Sequence, residues 1–548
     1  MTSTASAATG QAPASPAGKE KFLIIPIIIL ILAQMGATGD NGALSLSATA
    51  LTQELKATTS EIQLANMVYP LVGGAFMIAG GLMGTIIGWK KTFRIGVLLC
   101  AIGEVALAFA PNMTVFIWVG RVLVGFGASF MIPSVLGLIP LLYRGSNRMV
   151  AFGCIGAASG LSAFLPLFLG IVMQFGGFRI TFGALAVYFA LVLLLSFKLP
   201  AIEKPAEKLK FDGLGTGIAA TGLFLFLVGL SRISAWGLIE PFAECPFTIF
   251  GISPALPMAL VGLLILAALI PIEKRIEKKN GVALLPQSFL KTPQVLAGLT
   301  ANALMFFFMG AQSILMAPYL QLVSGWSPIE VGTISIVTGV PTFALALGIP
   351  KLLPKANPRH VIQFGYITMA AALIVMAASD GSNAFAVYLG AFLAGVGAGA
   401  VSAHASNVVA LALPERDASQ SGGIQSTMRN VGQAIGVALL GAILLLGITN
   451  SVRTHALHDP SISSQVSSQI ATLTIDLGSN EVFEEQIADI PMTDEERSQL
   501  VSIEENARYN SVHLAYVAGA AIVLLGLATT PAIKITSSED RKTKENAK

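Results

Sequence analysis

The sequence predicts an all-α, polytopic membrane protein of about fourteen transmembrane helices in two related halves. Three observations carry this. Only 11% of the 548 residues are charged, 54% are hydrophobic and the mean hydropathy is +0.74; a soluble globular chain is roughly one quarter charged. Apolar runs recur along the whole chain at the length of about 20 residues that a bilayer core requires. A glycine pattern also returns in one register 270 positions later. The composition excludes a soluble enzyme, a nucleic-acid binder and a disordered scaffold, and a net charge of +3 is too small to imply an anionic partner.

Residues 1–21 form a small-residue tail expected to be disordered. The apolar run behind it is too long for a signal-peptide core, so 22–51 is the first span. Runs at 62–87, 94–110, 113–141, 149–173 and 179–199 complete an N-terminal six-helix half, 22–200. The segment 201–293 is basic near both ends, with Lys204, Lys208 and Lys210, then Lys274, Arg275, Lys278 and Lys279. It holds two inserted spans, 213–231 and 253–271. The C-terminal half, 294–531, carries spans at 294–321, 328–350, 361–379, 383–413, 422–449 and 510–531, and ends in a tail, 532–548. Its long loop, 451–510, holds eleven acidic residues and three Arg, and reads as a solvated acidic cap rather than a cation-binding device. Thr493 and Glu496 have capping-box spacing, which lets the last helix begin before the membrane.

Charge orients the bundle. Lys56, Arg179, Arg232, Arg453, Arg497 and Arg508 occupy the loops opposite the termini, Arg121 and Arg429 lie in spans, and the other 25 of the 33 basic residues share the N-terminal side. The positive-inside rule then predicts cytoplasmic termini. Cys100, Cys154 and Cys245 offer neither a disulfide framework nor metal-ligand spacing. No phosphate loop, nucleophile elbow or zinc motif is present, so neither an enzyme nor a cofactor or metal is expected.

The repeat lies in the fourth and twelfth spans. Gly125, Gly127 and Ala128 recur as Gly395, Gly397 and Ala398, and Gly153 recurs as Gly423. Parallel six-helix repeats are a transporter architecture with the binding site between halves near the midplane.

Few ionisable residues fall inside the spans. A charged carboxylate at mid-bilayer costs about 2.5–3.5 kcal/mol on insertion scales, so each demands an explanation. Asp40, in AQMGATGDNGALSLS with Asn41, Ser45 and Ser47, suits a helix lining a wet cavity. It reads as a coupling or substrate residue, or as a structural hydrogen-bonded Asp. Glu104 is a second titrating site or a packing partner. Arg121 requires an anion, a carbonyl or water and can pair with Asp40. Arg429, nearer the cytoplasmic face, is expected to snorkel or hold a helix end. His404 suits proton handling or is a satisfied polar group. In the ninth span Asn302, Met305, Phe306, Phe307, Phe308, Met309 and Gln312 mix adaptable apolar groups with amides. Three consecutive Phe cannot all face one cavity.

At these residues the chain resembles the fourteen-spanner drug–proton antiporter branch of the major facilitator superfamily, over nearly its whole length. The first-span pattern is partly kept, with Asp40 on the acidic position and Leu51, Glu54 and Leu55 in register. The fourth-span pattern is kept as Arg121, Gly125, Gly127 and Ala128. The thirteenth, SGGIQSTMRNVGQAIGVALLG, keeps Arg429, Gly432 and Gly436. The gating loop after the second span, GLMGTIIGWKK, keeps Gly81, Gly88, Lys90 and Lys91. It has Thr85 at the Asp position, with Ile86 and Trp89 at basic positions, so the charge latch is largely missing. The fifth span, SGLSAFLPLFLG, keeps Pro166 and Gly170, while Leu165 and Leu169 replace glycines.

The resemblance implies a major facilitator fold with a cavity lined by the first, fourth, ninth and twelfth spans. It implies proton-driven export of small amphipathic organic compounds across the plasma (inner) membrane, by a monomer with no nucleic-acid partner. Proton coupling falls to Asp40, Arg121, Glu104 and His404. Substrate contact falls to Asn41, Asn302, Met305, Phe306, Met309 and Gln312, and gating to Gly81, Gly88, Lys90, Lys91, Pro166, Gly170 and Arg429. The altered gate loop and fifth span favour an alternative, a dedicated metabolite transporter acting as a uniporter or proton symporter.

Overall fold

The computed structural model describes residues 22–534 apart from 58, 201–212, 243–244, 281–286, 317–318, 321–322, 327, 380–382, 414, 474, 476 and 478. Both tails and the basic stretch at 201–212 therefore lie outside the described residues, as do the side chains of Asn41 and Pro166. Apart from one isolated bridge between Ile249 and Ile252, the regular structure among the described residues is helical.

Eleven helices among the described residues are long and apolar enough to cross a membrane. One of them, Leu64–Ala108, has 45 residues, about twice the length a bilayer core needs. It folds back at Gly88, where φ is 95° and ψ is 135°, a conformation an L side chain rarely adopts. The break separates α2 (Thr59–Met83 with a π turn, Gly84–Gly88) from α3 (Trp89–Ala108). Gly177, with φ 64° and ψ −170°, similarly divides the chain that follows Gly145 into α5 (145–176) and α6 (178–195).

With α1 (Ile24–Leu55) and α4 (Met113–Leu142), these rods make the N-terminal half. The inserted pair is α7 (Gly213–Trp236) and α8 (Ala255–Asn280). The C-terminal half is α9 (Pro293–Leu315), α10 (Pro328–Leu352), α11 (Pro358–Ala377), α12 (Ala384–Ala412), α13 (Glu415–His458) and α14 (Asp494–Leu525). The architecture is two six-helix halves plus two inserted helices.

Small residues set the helix spacing, as expected where lipid tails remove any apolar gain from helix contact. A methyl added at Gly127 would stand 2.8 Å from the Gly96 carbonyl oxygen, and one at Gly397 would stand 2.8 Å from that of Gly365. Thus α3–α4 and α11–α12 are the same joint in two copies. Gly125 abuts Tyr69 and Val72 on α2, and Gly395 abuts Thr338 and Pro341 on α10. Between the halves, Gly423 abuts Met77 and Gly81 while Gly153 abuts Ala346 and Pro350. Each of these four partner pairs differs by 269 positions. The weak sequence repeat is therefore a repeat of contacts.

The loop reading needs correction at 459–493. This stretch packs a hydrophobic core of Ile462, Val466, Ile470, Phe483, Ile487 and Ile490 onto α13 and α14, so it is a folded cap and not a merely solvated one. The α14 helix starts in the cap with the expected capping box between Thr493 and Glu496, and α13, at 44 residues, runs well past both ends of its predicted span.

Candidate functional site

The N-terminal half buries a cluster of ionisable side chains. Arg121 ends a six-residue π segment, Phe116–Arg121, which widens α4 and turns its guanidinium inward; π segments often mark functional sites. Its Nη1 donates to both carboxylate oxygens of Asp40 at 2.7 Å. Its Nε donates to the Ala65 carbonyl at 3.0 Å, and the Tyr69 ring centroid is 5.0 Å from its Cζ. Asp40, Arg121 and Glu104 are all 0% exposed. Glu104 on α3 lies within electrostatic reach of Asp40, Arg121, Tyr69 and Cys100. Neither of its oxygens accepts a hydrogen bond from a described donor, and Arg121 Nη2 is likewise without an acceptor. Four helices converge here, and the expected pairing of Asp40 with Arg121 is realised.

A second polar cluster sits in the C-terminal half. Arg429 Nε donates to Asn302 Oδ1 at 2.9 Å and Nη2 donates to Ser406 Oγ at 2.8 Å, with the Phe306 ring 5.3 Å away. Asn302 Nδ2 donates to the Gly298 carbonyl at 3.1 Å and reaches Gln425 Oε1 at 3.5 Å; Gln425 Nε2 donates to Ser421 Oγ at 2.8 Å. The expectation that Arg429 snorkels is wrong: it ties α9, α12 and α13 together inside the bundle. It follows that the two clusters differ in depth. Arg121 is in the first third of α4, which begins at the end away from the termini. Ser406 is in the last third of α12, which finishes at the terminus-bearing end.

Other predicted residues divide. His404 is fully buried, and neither ring nitrogen has a partner among the described residues. Met305 is buried and its sulfur accepts from Ser402 Oγ at 3.1 Å. Gln312 holds a buried Nε2 with no acceptor among the described residues. Met309 is 39% exposed, and three residues on from Phe306 it stands about 60° round α9 from it.

At the gate loop, Lys90 Nζ donates to the Leu199 carbonyl, so it caps α6 within its own half. Arg94 joins it, donating from Nε and Nη2 to Ser196. Lys91 is exposed and Gly170 meets nothing within 4 Å. Gly81 meets Gly423 across the halves. Sequence reasoning missed Tyr69, Ser406 and Gln425. Each is an unremarkable uncharged polar residue, and only the fold brings it into a cluster built on an arginine.

A model described as Major Facilitator Superfamily matches residues 30–437. The chain belongs to this superfamily. It is 26% identical to the probable actinorhodin transporter of Streptomyces coelicolor over 77% of this chain and 72% of that protein. It is 24% identical to the tetracenomycin C resistance and export protein of Streptomyces glaucescens over 74% and 73%. The crystal structure of the human organic anion transporter MFSD10 shares the fold at a TM-score of 0.53, with 12% identity, over 92% of this chain and 98% of that one. The chain is a multi-pass membrane protein of a transporter family.

Proposed function

We propose that this superfamily member is a proton-coupled exporter of small amphipathic organic compounds, in the fourteen-spanner antiporter branch, with cytoplasmic termini in the plasma membrane. The observation that carries this reading is the fully buried Asp40–Arg121 pair with Glu104 beside it. A second carboxyl beside a single arginine gives the site one more potential negative charge than positive, and one proton neutralises the excess. The name of one relative, the tetracenomycin C resistance and export protein, agrees with this direction of transport.

Substrate is taken at the C-terminal cluster, where Phe306 gives an apolar face and Asn302, Gln425 and Ser406 give polar ones. Coupling needs only that proton and substrate disfavour simultaneous occupancy. All the contacts between halves given above involve the terminus-bearing portions of α2, α5, α10 and α13. This supports a resting state closed toward the cytoplasm, in which the N-terminal cluster faces the outer side.

The test is accumulation of ethidium in proteoliposomes under an imposed pH gradient. Wild type accumulates it and Asp40→Asn does not; retained accumulation in Asp40→Asn sinks the reading. The density of hydrogen bonds around Arg429 favours one alternative, a transporter dedicated to a single polar metabolite. Counterflow without a pH gradient, restricted to one compound of a panel, is its signature.

A further inference from the structure

We infer that Glu104, and not Asp40, is the residue that holds the exchanged proton, with Arg121 as the arm that answers its loss. The inference rests on the proton-coupled reading above and deepens it.

Asp40 receives Arg121 Nη1 on both oxygens at 2.7 Å. A carboxylate so engaged gains a charge-assisted hydrogen bond that a neutral acid would lose, so Asp40 is the ionised member. Glu104 is as deeply buried, yet no described donor serves either oxygen. An ionised carboxylate in that position carries the full desolvation penalty without compensation. Glu104 is therefore the neutral acid, with the Asp40 carboxylate within electrostatic reach. The charge count agrees: one guanidinium, one carboxylate and one carboxylic acid sum to zero.

The groups that face Glu104 are Asp40 from α1, Tyr69 from α2, Cys100 from α3 itself and Arg121 from α4. From α6, Arg179 lies at the far end of α3, where it donates to the Ala108 and Ala110 carbonyls and pairs with Glu54. Arg121 has a donor to spare. Its Nη2 is buried with no acceptor among the described residues, while Nε and Nη1 are occupied. When Glu104 releases its proton, the new carboxylate is the acceptor Nη2 lacks. Arg121 then spans two carboxylates, and α3 and α4 are drawn to α1. Asp40 stays ion-paired throughout; it sets the geometry and keeps the guanidinium in place.

On the same view Asp40→Asn is expected to stop coupling. Removing the Asp40 charge leaves Arg121 to Glu104, which ionises permanently and has no proton left to give.

The experiment is infrared difference spectroscopy of the purified full chain between mildly acidic and alkaline pH, which reads the carbonyl stretch of a protonated carboxylic acid and needs no substrate. In wild type this buried band stands beside those of the other buried carboxyls, Glu273 and Glu504; Glu104→Gln loses it, and Glu104→Asp keeps it with a shifted position. Persistence of the band in Glu104→Gln overturns the assignment and returns the proton to Asp40. In proteoliposomes Glu104→Gln loses ethidium accumulation driven by the pH gradient. Retained drive in Glu104→Gln also overturns the assignment while leaving proton-coupled export standing. Absence of drive in wild type defeats the export reading instead, and the infrared band still decides which carboxyl holds the proton.

Discussion

At the scale of single residues, the N-terminal cluster behaves as a unit. Replacing Arg121 by Met leaves Asp40 buried and unpaired, at a cost of about 3–5 kcal/mol. The double variant Asp40→Asn with Arg121→Met recovers most of it. A detergent thermal-unfolding series on the four proteins checks this, and simple additivity of the two single losses would contradict it. Arg121→Lys folds but loses coupling, since a point charge on a flexible stem cannot serve the Ala65 carbonyl and Asp40 together. Asp40, Glu104 and Arg121 were legible in the sequence because a charge in an apolar run has few innocent explanations. Tyr69 and Ser406 were not, because a hydroxyl in a span costs little and its direction depends on helix rotation, which residue spacing constrains only weakly.

At the scale of elements, the helix ends and turns carry separable tasks. Gly88→Ala forces a side chain into a left-handed turn and weakens the α2–α3 reversal. Thr493→Ala removes the N-cap of α14 and costs about 0.5–2 kcal/mol, read as faster proteolysis within the cap while the spans stay intact. The cap also responds to acid. Asp459 accepts from the Ser461 hydroxyl and backbone N–H and from Gln499, and these bonds hold its carboxyl below the ordinary range. Its contribution is therefore complete above the unfolded value of about 4 and is lost as pH falls through the lower folded one. Protease sensitivity of the 459–493 segment should rise in that acid window, and less so in Asp459→Asn. The capping box was visible from two residues at fixed spacing. The apolar core of the cap was not, since its isoleucines are scattered over three short segments with no period to betray them.

At the scale of the whole molecule, the two halves meet through matched glycines. Gly153→Leu and Gly423→Leu are predicted to act alike, because they sit at equivalent points of a two-fold arrangement and each pushes a helix off its partner. Both open the terminus-bearing end. The half-buried Cys154 reports this: in a Cys245→Ser background its alkylation by a permeant maleimide rises several-fold in either variant, and a rise in only one contradicts the equivalence. The halves were visible in sequence as three weak glycine coincidences; what these touch required the fold. Trp89 belongs to this scale too. It is 5% exposed, and its ring occupies the space beside Gly84 and Gly137, while Gly422 of the opposite half rests on Gly137. A bulky aromatic thus stands where the family pattern has a cation. Charges at a solvent-facing latch are screened over about 8 Å at physiological ionic strength, whereas an aromatic wedge is held by dispersion and exclusion of water. We therefore predict that closure at the terminus-bearing end, proposed above to face the cytoplasm, is insensitive to salt, so that an osmotically concentrated cell interior leaves that door shut as firmly as before.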